Sequence, residues 1–208
     1  MSKLKLFAQV SWLLLVSSFV FGLLIAVTNA ALSGRIEQNK SAKLNELIKT
    51  LLPDAEIFKP VEAQIEIAMP GGTKDAAQVF EAMSADKQRV GWSFRAYGMG
   101  FSSTIELVVA VDKDFQTIMG YSVLTSSETP GFGDQMKDSY FRNQFVKAPA
   151  GQLTLAKTGD PAAIDSQIVA ISGATVTSEA VVGIFNTFVV QIKDQMTQKG
   201  LIGNVGQQ

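Results

Sequence analysis

The sequence predicts an α+β fold, in which one N-terminal transmembrane helix is followed by a single domain with an antiparallel sheet flanked by helices. Two observations carry this prediction: an uncharged apolar run near the N-terminus, and three strand-like segments that precede a long amphipathic helix. The chain has 208 residues, of which 47% are hydrophobic, so that outside the apolar run it can bury one good core. We therefore expect one globular domain.

The apolar run covers residues 10–31, VSWLLLVSSFVFGLLIAVTNAA, and contains no charge. Its length matches the roughly 20 residues that cross about 30 Å of hydrocarbon, which favours a transmembrane helix. A cleaved signal peptide is the alternative, but its apolar core is usually only about 7–15 residues long. Basic residues flank both ends of the run: Lys3 and Lys5 before it, and Arg35, Lys40 and Lys43 after it. Charge bias alone therefore does not assign the two sides of the membrane.

A linker helix is predicted over residues 32–53, and the domain over residues 54–208. Apolar residues recur at helical spacing in the linker, and a proline then ends the helix. The spacing involves Leu44, Leu47, Ile48 and Leu51, and the proline is Pro53.

Three adjacent antiparallel strands are expected at the centre of the domain. They are predicted from alternating or β-branched residues at 92–97, 104–112 and 117–124. Further strands are predicted near 63–68 and at 166–171, and a helix face over 134–146.

The last helix has an apolar stripe that ends before Gly200. The stripe comprises Val181, Ile184, Phe185, Phe188, Val189, Ile192 and Met196, and the other face carries Asn186, Gln191, Asp194 and Gln195. This two-sided pattern favours core packing over a lipid or cofactor surface.

The composition excludes several classes of function. The chain has no histidine and no cysteine, which removes Ser-His-Asp and cysteine nucleophiles, ordinary zinc sites, haem histidines and cysteine-bound iron–sulfur clusters. Net charge is −1 with scattered basic residues, so nucleic acid binding is disfavoured. Any oxidation–reduction would require an organic cofactor.

One loop that could hold chemistry is TSSETPGFGDQM, residues 125–136, which follows a predicted strand. Pro130 and Gly131 are typical of a tight turn, which is a sufficient structural explanation by itself. The density of hydroxyl and carboxylate side chains before that turn, however, also suits a binding loop.

The second loop is ISGATVTSEA, residues 171–180, which joins a predicted strand to the last helix. Thr177 or Ser178 is predicted to be the N-cap of a helix that begins near Thr177, with Glu179 in its first turn. This does not explain Ser172 or Thr175. Free N–H groups at a helix N-terminus favour a phosphate, and the hydroxyl of Thr175 would stand at that point.

The two loops together resemble a known family. SGATVTS at 172–178, ETPGFGD at 128–134 and one N-terminal anchor are similar to the FMN-binding domain of the G subunit of the Rnf electron-transport complex. They are also similar to the C subunit of the sodium-translocating NADH:quinone reductase. The resemblance covers nearly the whole chain, with three departures from the common pattern at Ser126, Phe132 and Val169.

The resemblance implies a covalent FMN and assigns residues to it. Thr175 would carry the FMN phosphate as an ester; Ser172, Gly173, Ala174 and Thr177 would shape and hydrogen-bond the phosphate turn; Glu128, Thr129 and Gly131 would face the isoalloxazine ring or the ribityl chain. No residue would act as an acid–base catalyst, and no metal is implied. A separate flavin transferase using FAD would make the attachment.

The resemblance also implies a place in the cell and a set of partners. The chain would be a single-pass protein of the bacterial inner membrane, with residues 1–9 as a cytoplasmic tail and the domain on the periplasmic side. It would relay electrons among other membrane subunits of an ion-translocating ferredoxin:NAD⁺ oxidoreductase. Two alternatives remain open: the equivalent quinone reductase subunit, and an anchored binding or assembly domain without flavin.

Overall fold

The computed structural model describes the backbone of residues 3–203. It describes the side chains of the same range except for those of residues 3–10, 36–38, 40 and 41. Residues 1, 2 and 204–208, which fall in the predicted tail and domain, lie outside the described residues. The chain divides into two units, Met1–Lys43 and Leu44–Gln208. Helix α1 spans Lys3–Leu51, so one helix contains the predicted membrane segment and all but the last two residues of the predicted linker helix.

In the first unit, α1 contains a stretch long and apolar enough to cross a membrane. This stretch is Ser11–Arg35, with a mean hydropathy of 2.2 and none of its apolar window buried. It agrees with the sequence prediction of an N-terminal membrane segment. The segment Thr175–Gln198 is also long and apolar enough, with a mean hydropathy of 1.3. Half of its apolar stretch is buried, however, because this segment is the core helix of the second unit.

Within its described residues, the second unit contains nine strands and two further α-helices. In chain order they are β1 (Ile57–Pro60), β2 (Glu66–Ala68), β3 (Lys74–Ala76), β4 (Val79–Met83), β5 (Arg89–Met99), β6 (Thr104–Asp112), β7 (Ile118–Thr125), α2 (Ser139–Arg142), β8 (Thr154–Ala156), β9 (Gln167–Val169) and α3 (Thr175–Gln198).

The main sheet is five-stranded and antiparallel, in the order β1-β4-β5-β6-β7. Strands β5, β6 and β7 are the three adjacent antiparallel strands that the sequence predicts. Two smaller pairs accompany the sheet, the antiparallel β2–β3 hairpin and the parallel β8–β9 pair.

Both faces of the main sheet are covered. On one face, Phe94 of β5 and its partner Val109 of β6 pack with α3 in the larger core. On the other face, Val108 and Ala110 pack with Leu44 and Ile48 from the last turns of α1. The predicted apolar stripe of α3 is buried at all seven positions, which confirms that it is core packing.

The predicted helix over 134–146 is wrong as a single element. The structure has a 3₁₀ helix at Gly133–Lys137, then α2, then a 3₁₀ helix at Asn143–Phe145. Asp138 interrupts the run because its backbone is extended, with φ −76° and ψ 147°. This break changes which side chains face inward: Phe141 is fully buried, whereas Tyr140 is 45% exposed.

Candidate functional site

A cavity of about 410 Å³ opens where α3 begins, a size in the range typical of small-molecule sites. Three segments contribute its lining: Phe101 from the β5–β6 turn, the loop after β7, and the N-terminus of α3. The lining residues are Phe101, Thr129, Phe132, Gly133, Gly173, Ala174, Thr175, Val176 and Thr177. The two loops that the sequence singles out therefore meet at one cavity.

Helix α3 begins at Thr175, two positions before its predicted start. Its N-cap position is Ala174, and no side chain makes a capping hydrogen bond. The predicted N-cap at Thr177 or Ser178 is therefore wrong, and so is the placement of Glu179 in the first turn. The chain enters the helix through Gly173, whose φ of +78° is a conformation that glycine adopts without steric cost.

The hydroxyl groups of Thr177 and Ser178 are used inside the protein instead of as caps. Ser178 Oγ accepts the N–H of Ile171 at 2.9 Å and donates to the carbonyl of Ala174 at 3.0 Å. Thr177 Oγ1 donates to Oε2 of Glu128 at 2.6 Å. Both side chains are buried, so they fix the first turn of α3 against the domain.

Thr175 occupies a different environment from Thr177 and Ser178. It is the first residue of α3, is half-buried and lines the cavity. The first N–H groups of an α-helix have no partner within the helix, and here no side chain replaces one. Thr175 thus combines an accessible hydroxyl with a helix N-terminus that favours an anion.

The remaining residues of the SGAT segment are placed differently. Ala174 is nearly buried and lines the cavity together with Gly173. Ser172 is exposed and is not among the lining residues. The structure thus brings Gly173, Ala174, Thr175 and Thr177 to the cavity but leaves Ser172 outside its lining.

The family resemblance assigns Glu128 to the isoalloxazine ring or the ribityl chain of FMN. The side chain of Glu128 is 5% exposed, and it is absent from the cavity lining. The carboxylate accepts the hydroxyl of Thr177 and the backbone N–H groups of Ser102 at 2.9 Å, Phe101 at 3.3 Å and Ser103 at 3.4 Å. Burial alone would raise the pKa of Glu128, but the hydrogen bonds from Thr177 and the three amides outweigh it, so the pKa lies below the ordinary value.

The rest of the ETPG loop forms the tight turn that the sequence predicts. The carbonyl of Thr129 accepts the N–H groups of Phe132 at 3.2 Å and Asp134 at 3.3 Å, and Gly131 has φ +76°. Thr129 lines the cavity, whereas Gly131 does not. The carbonyl of Gly131 accepts a hydrogen bond from Gln135 Nε2 at 2.6 Å.

Sequence reasoning missed three of the apolar walls of the cavity. Phe101 is 68% exposed, Phe132 54% and Val176 52%. Large apolar side chains at such exposure, gathered around one opening, are typical of a binding surface. The available signal was a phenylalanine inside the turn GFSS at 100–103, beside glycine and serines, where a core residue is not expected.

Comparisons with known proteins agree with this geometry. Residues 100–189 match the family model described as FMN-binding domain. The chain is 30% identical over 195 residues to the G subunit of the ion-translocating oxidoreductase complex of Methanosarcina acetivorans, covering 94% of this chain and 99% of the relative. It is 31% identical over 169 residues to the G subunit of the proton-translocating ferredoxin:NAD(+) oxidoreductase complex of Clostridium ljungdahlii, covering 81% and 82%.

The quinone reductase subunits are similar over a smaller part of the chain. The C subunit of the Na(+)-translocating NADH-quinone reductase of Yersinia pestis is 34% identical over 100 residues, which is 43% of this chain and 36% of that protein. The crystal structure of NqrC from Shewanella oneidensis superposes with a TM-score of 0.54 at 24% identity, covering 72% of each chain, and supports the fold alone.

These likenesses differ in extent, and their extent separates the two families. The two G subunits match over 94% and 81% of this chain, whereas the quinone reductase subunit matches over 43% of it. The chain therefore belongs to the family of G subunits of ion-translocating oxidoreductase (Rnf) complexes and contains the FMN-binding domain of that family.

Proposed function

We propose that this chain is a membrane-anchored flavoprotein subunit whose FMN is joined through its phosphate to Oγ1 of Thr175. In this role it relays electrons between other redox centres of an ion-translocating ferredoxin:NAD⁺ oxidoreductase. The observation that carries the proposal is the position of Thr175, as the one residue that both begins α3 and lines the cavity. Bound FMN would supply the electron chemistry, and the protein its position and surroundings.

The residues of the cavity fit such a group. Phe101, Phe132 and Val176 offer apolar surface for a flat ring system. The uncapped N-terminus of α3 offers N–H groups and a favourable dipole for a phosphate that keeps one negative charge. Gly173 leaves the approach to the helix free of a side chain, with Phe132 as the nearest neighbour, 3.5 Å from where a Cβ would stand.

The attachment step needs help from another protein. Oγ1 of Thr175 would form a bond to the FMN phosphorus of FAD, while the pyrophosphate bond breaks, AMP leaves and the hydroxyl gives up its proton. A threonine hydroxyl is a weak nucleophile without a neighbouring base. The chain has no histidine, and the described residues that line the cavity carry no carboxylate or amine. A flavin transferase is therefore expected to supply the base and to hold FAD.

The proposed topology is the one that the family resemblance implies. An anchor within Ser11–Arg35 would hold the chain in the inner membrane, with residues 1–9 in the cytoplasm and the domain on the periplasmic side. A flavin held by an ester would not be lost from a domain that faces a dilute compartment. The partners would be the other membrane subunits of the complex.

A denaturing gel viewed under ultraviolet light tests the attachment. The full chain, co-expressed with a flavin transferase, should give a fluorescent band, and Thr175→Val should give a dark one, because the only bond that survives denaturation is gone. Thr154→Val, at an exposed threonine of β8, is the matched control and should stay fluorescent. A fluorescent Thr175→Val band would refute the proposed site.

A further inference from the structure

The carboxylate of Glu128 is buried and is not part of the cavity lining. It receives hydrogen bonds from two parts of the chain: the turn at residues 101–103 and the first turn of α3 through Thr177. Glu128 and Thr177 are 49 positions apart in sequence. One side chain thus joins two of the segments that line the cavity, and its own loop contributes the third.

We call the contacts of Glu128 with Thr177 and with the 101–103 amides the Glu128 junction. Two glycines show how closely this junction is packed. A Cβ at Gly133 would stand 2.6 Å from Thr177 Oγ1 and 2.7 Å from Glu128 Oε2, and a Cβ at Gly100 would stand 2.5 Å from Glu128 Oε1. Real Cβ atoms essentially never approach other atoms within 3.0 Å. Any side chain at either glycine would therefore displace the carboxylate of Glu128. Only glycine at these two positions leaves room for that carboxylate.

The junction determines which way the first turn of α3 faces. Successive residues of an α-helix are rotated by about 100°, so Thr175 and Thr177 project roughly 200° apart around the axis. Thr177 is held inward by Glu128, and Ser178 is held inward by Ile171 and Ala174. With those two side chains fixed, the rotation of the helix is set, and Thr175 remains half-buried at the cavity.

We propose that Glu128 is a positioning residue, whose carboxylate acts through Thr177 to orient Thr175 for attachment of the flavin and through the 101–103 amides to hold Phe101 at the cavity. This inference rests on the proposed function, because it assumes that Thr175 is the acceptor. It replaces a flavin contact by Glu128 with an indirect role. The charge matters because four donors converge on the two carboxylate oxygens. The side-chain amide of glutamine has only one acceptor oxygen, so it could accept only part of these hydrogen bonds.

The first test measures the rate of flavin attachment to the full chain in detergent, with purified flavin transferase and FAD. The rate of each variant is divided by the fraction of its protein that is folded. Glu128→Gln and Thr177→Val should each slow the reaction by about tenfold or more, as expected when a hydrogen bond to a charged group is lost. Thr177→Ser, which keeps the hydroxyl, should restore a rate within about twofold of the unsubstituted chain. Thr197→Val, at the far end of α3, is the matched control.

Two outcomes of this test would overturn the proposal: an unchanged rate in folded Glu128→Gln, or a rate in Thr177→Ser as slow as in Thr177→Val. If Glu128→Gln does not fold, Thr177→Val still decides, because it keeps the carboxylate with its three amide donors.

A second test does not involve flavin. Amide hydrogen exchange at Phe101, Ser102 and Ser103 should be faster in Glu128→Gln than in the unsubstituted chain, while exchange in β6 should be unchanged. Equal exchange at the three amides would refute the junction itself. If Thr175→Val still accepts flavin while the three amides respond as expected, the acceptor assignment fails, and the role of Glu128 in orienting it fails with it.

Discussion

Ser93 and Ser178 are both fully buried but use their hydroxyl groups in opposite ways. Ser178 Oγ both accepts and donates a hydrogen bond, whereas Ser93 Oγ has no partner among the described residues. A buried hydroxyl without a hydrogen bond costs free energy, and one with its bonds satisfied does not. We therefore expect alanine substitution at these two positions to change the free energy of unfolding in opposite directions.

We expect Ser93→Ala to leave the free energy of unfolding unchanged or to raise it by up to about 1 kcal/mol, because it removes an unsatisfied group. Ser178→Ala should lower the same quantity by about 1–3 kcal/mol, because the N–H of Ile171 loses its acceptor. Urea unfolding followed by circular dichroism measures both. Equal losses in the two variants would contradict this account of the two hydroxyls.

The lowered pKa of Glu128 makes the stability of the folded protein depend on pH. Its pKa in the folded protein lies below the ordinary value of 4.5, because the hydrogen bonds from Thr177 and the 101–103 amides outweigh the effect of burial. A lowered pKa contributes stability that is fully present above the pKa of the unfolded chain. That contribution is lost as the pH falls through the folded pKa.

The melting temperature of the unsubstituted chain should accordingly fall as the pH is lowered below about 4.5, and that of Glu128→Gln should fall less. Glu62→Gln, at an exposed glutamate of the same domain, is the control and should follow the unsubstituted chain. Parallel curves for the unsubstituted chain and Glu128→Gln would show that the carboxylate does not carry this pH dependence.

At the scale of elements, amide side chains take the place of missing strand neighbours. Gln191 accepts the N–H of Ala68 and donates to its carbonyl, and Gln195 does the same with Glu66, so α3 holds the edge of β2. Asn186 pairs in this way with Leu153, next to β8. The polar face of α3 is therefore partly a structural surface as well as a solvated one.

Gln144 makes the same two-way contact with β9. Its Oε1 accepts the N–H of Val169 at 2.7 Å and its Nε2 donates to the carbonyl of Val169 at 3.2 Å, with 2% of the residue exposed. Gln144→Glu would place a carboxylate against that carbonyl. The free energy of unfolding should fall by about 1–3 kcal/mol or more, measured by urea unfolding. The exposed Gln88→Glu should change it by less than about 0.5 kcal/mol, and a similar loss in both variants would contradict the contact.

The elements that the sequence predicts well are the long ones. Strand β6 has its predicted bounds, because seven of its nine residues are β-branched or apolar and leave little alternative. Strands β1, β3, β4 and β8 are three to five residues long and were not predicted. Strands this short carry too little periodicity to be recognised in the sequence. The small pairs also depend on partners distant in sequence: Gln191 bonds Ala68 of β2, and Asn186 bonds Leu153 next to β8.

At the scale of the molecule, the site could be predicted in part. The motifs single out Thr175, which the structure places in the lining of the cavity, but local rules alone make Thr177 a helix cap. The bond between Thr177 and Glu128 depends on tertiary packing, which no local pattern encodes. Phe101 was missed for the same reason, since only the fold brings the β5–β6 turn to the start of α3.

The absence of cysteine allows a direct test of the proposed topology. Thr158→Cys, at an exposed position between β8 and β9, would provide the single thiol of the chain. A membrane-impermeant maleimide added to cells with a permeabilised outer membrane should label it, because the domain would face the periplasm. Labelling only after the inner membrane is disrupted would place the domain in the cytoplasm.

The central claim is the ester at Thr175, and the mass of the intact chain tests it most directly. A chain purified from cells that contain a flavin transferase should be heavier than its sequence by the mass of FMN less one water. Fragmentation should place the added mass on Thr175, and Thr175→Val should lack it. An unmodified mass under these conditions, or an added flavin on another residue, would contradict the account.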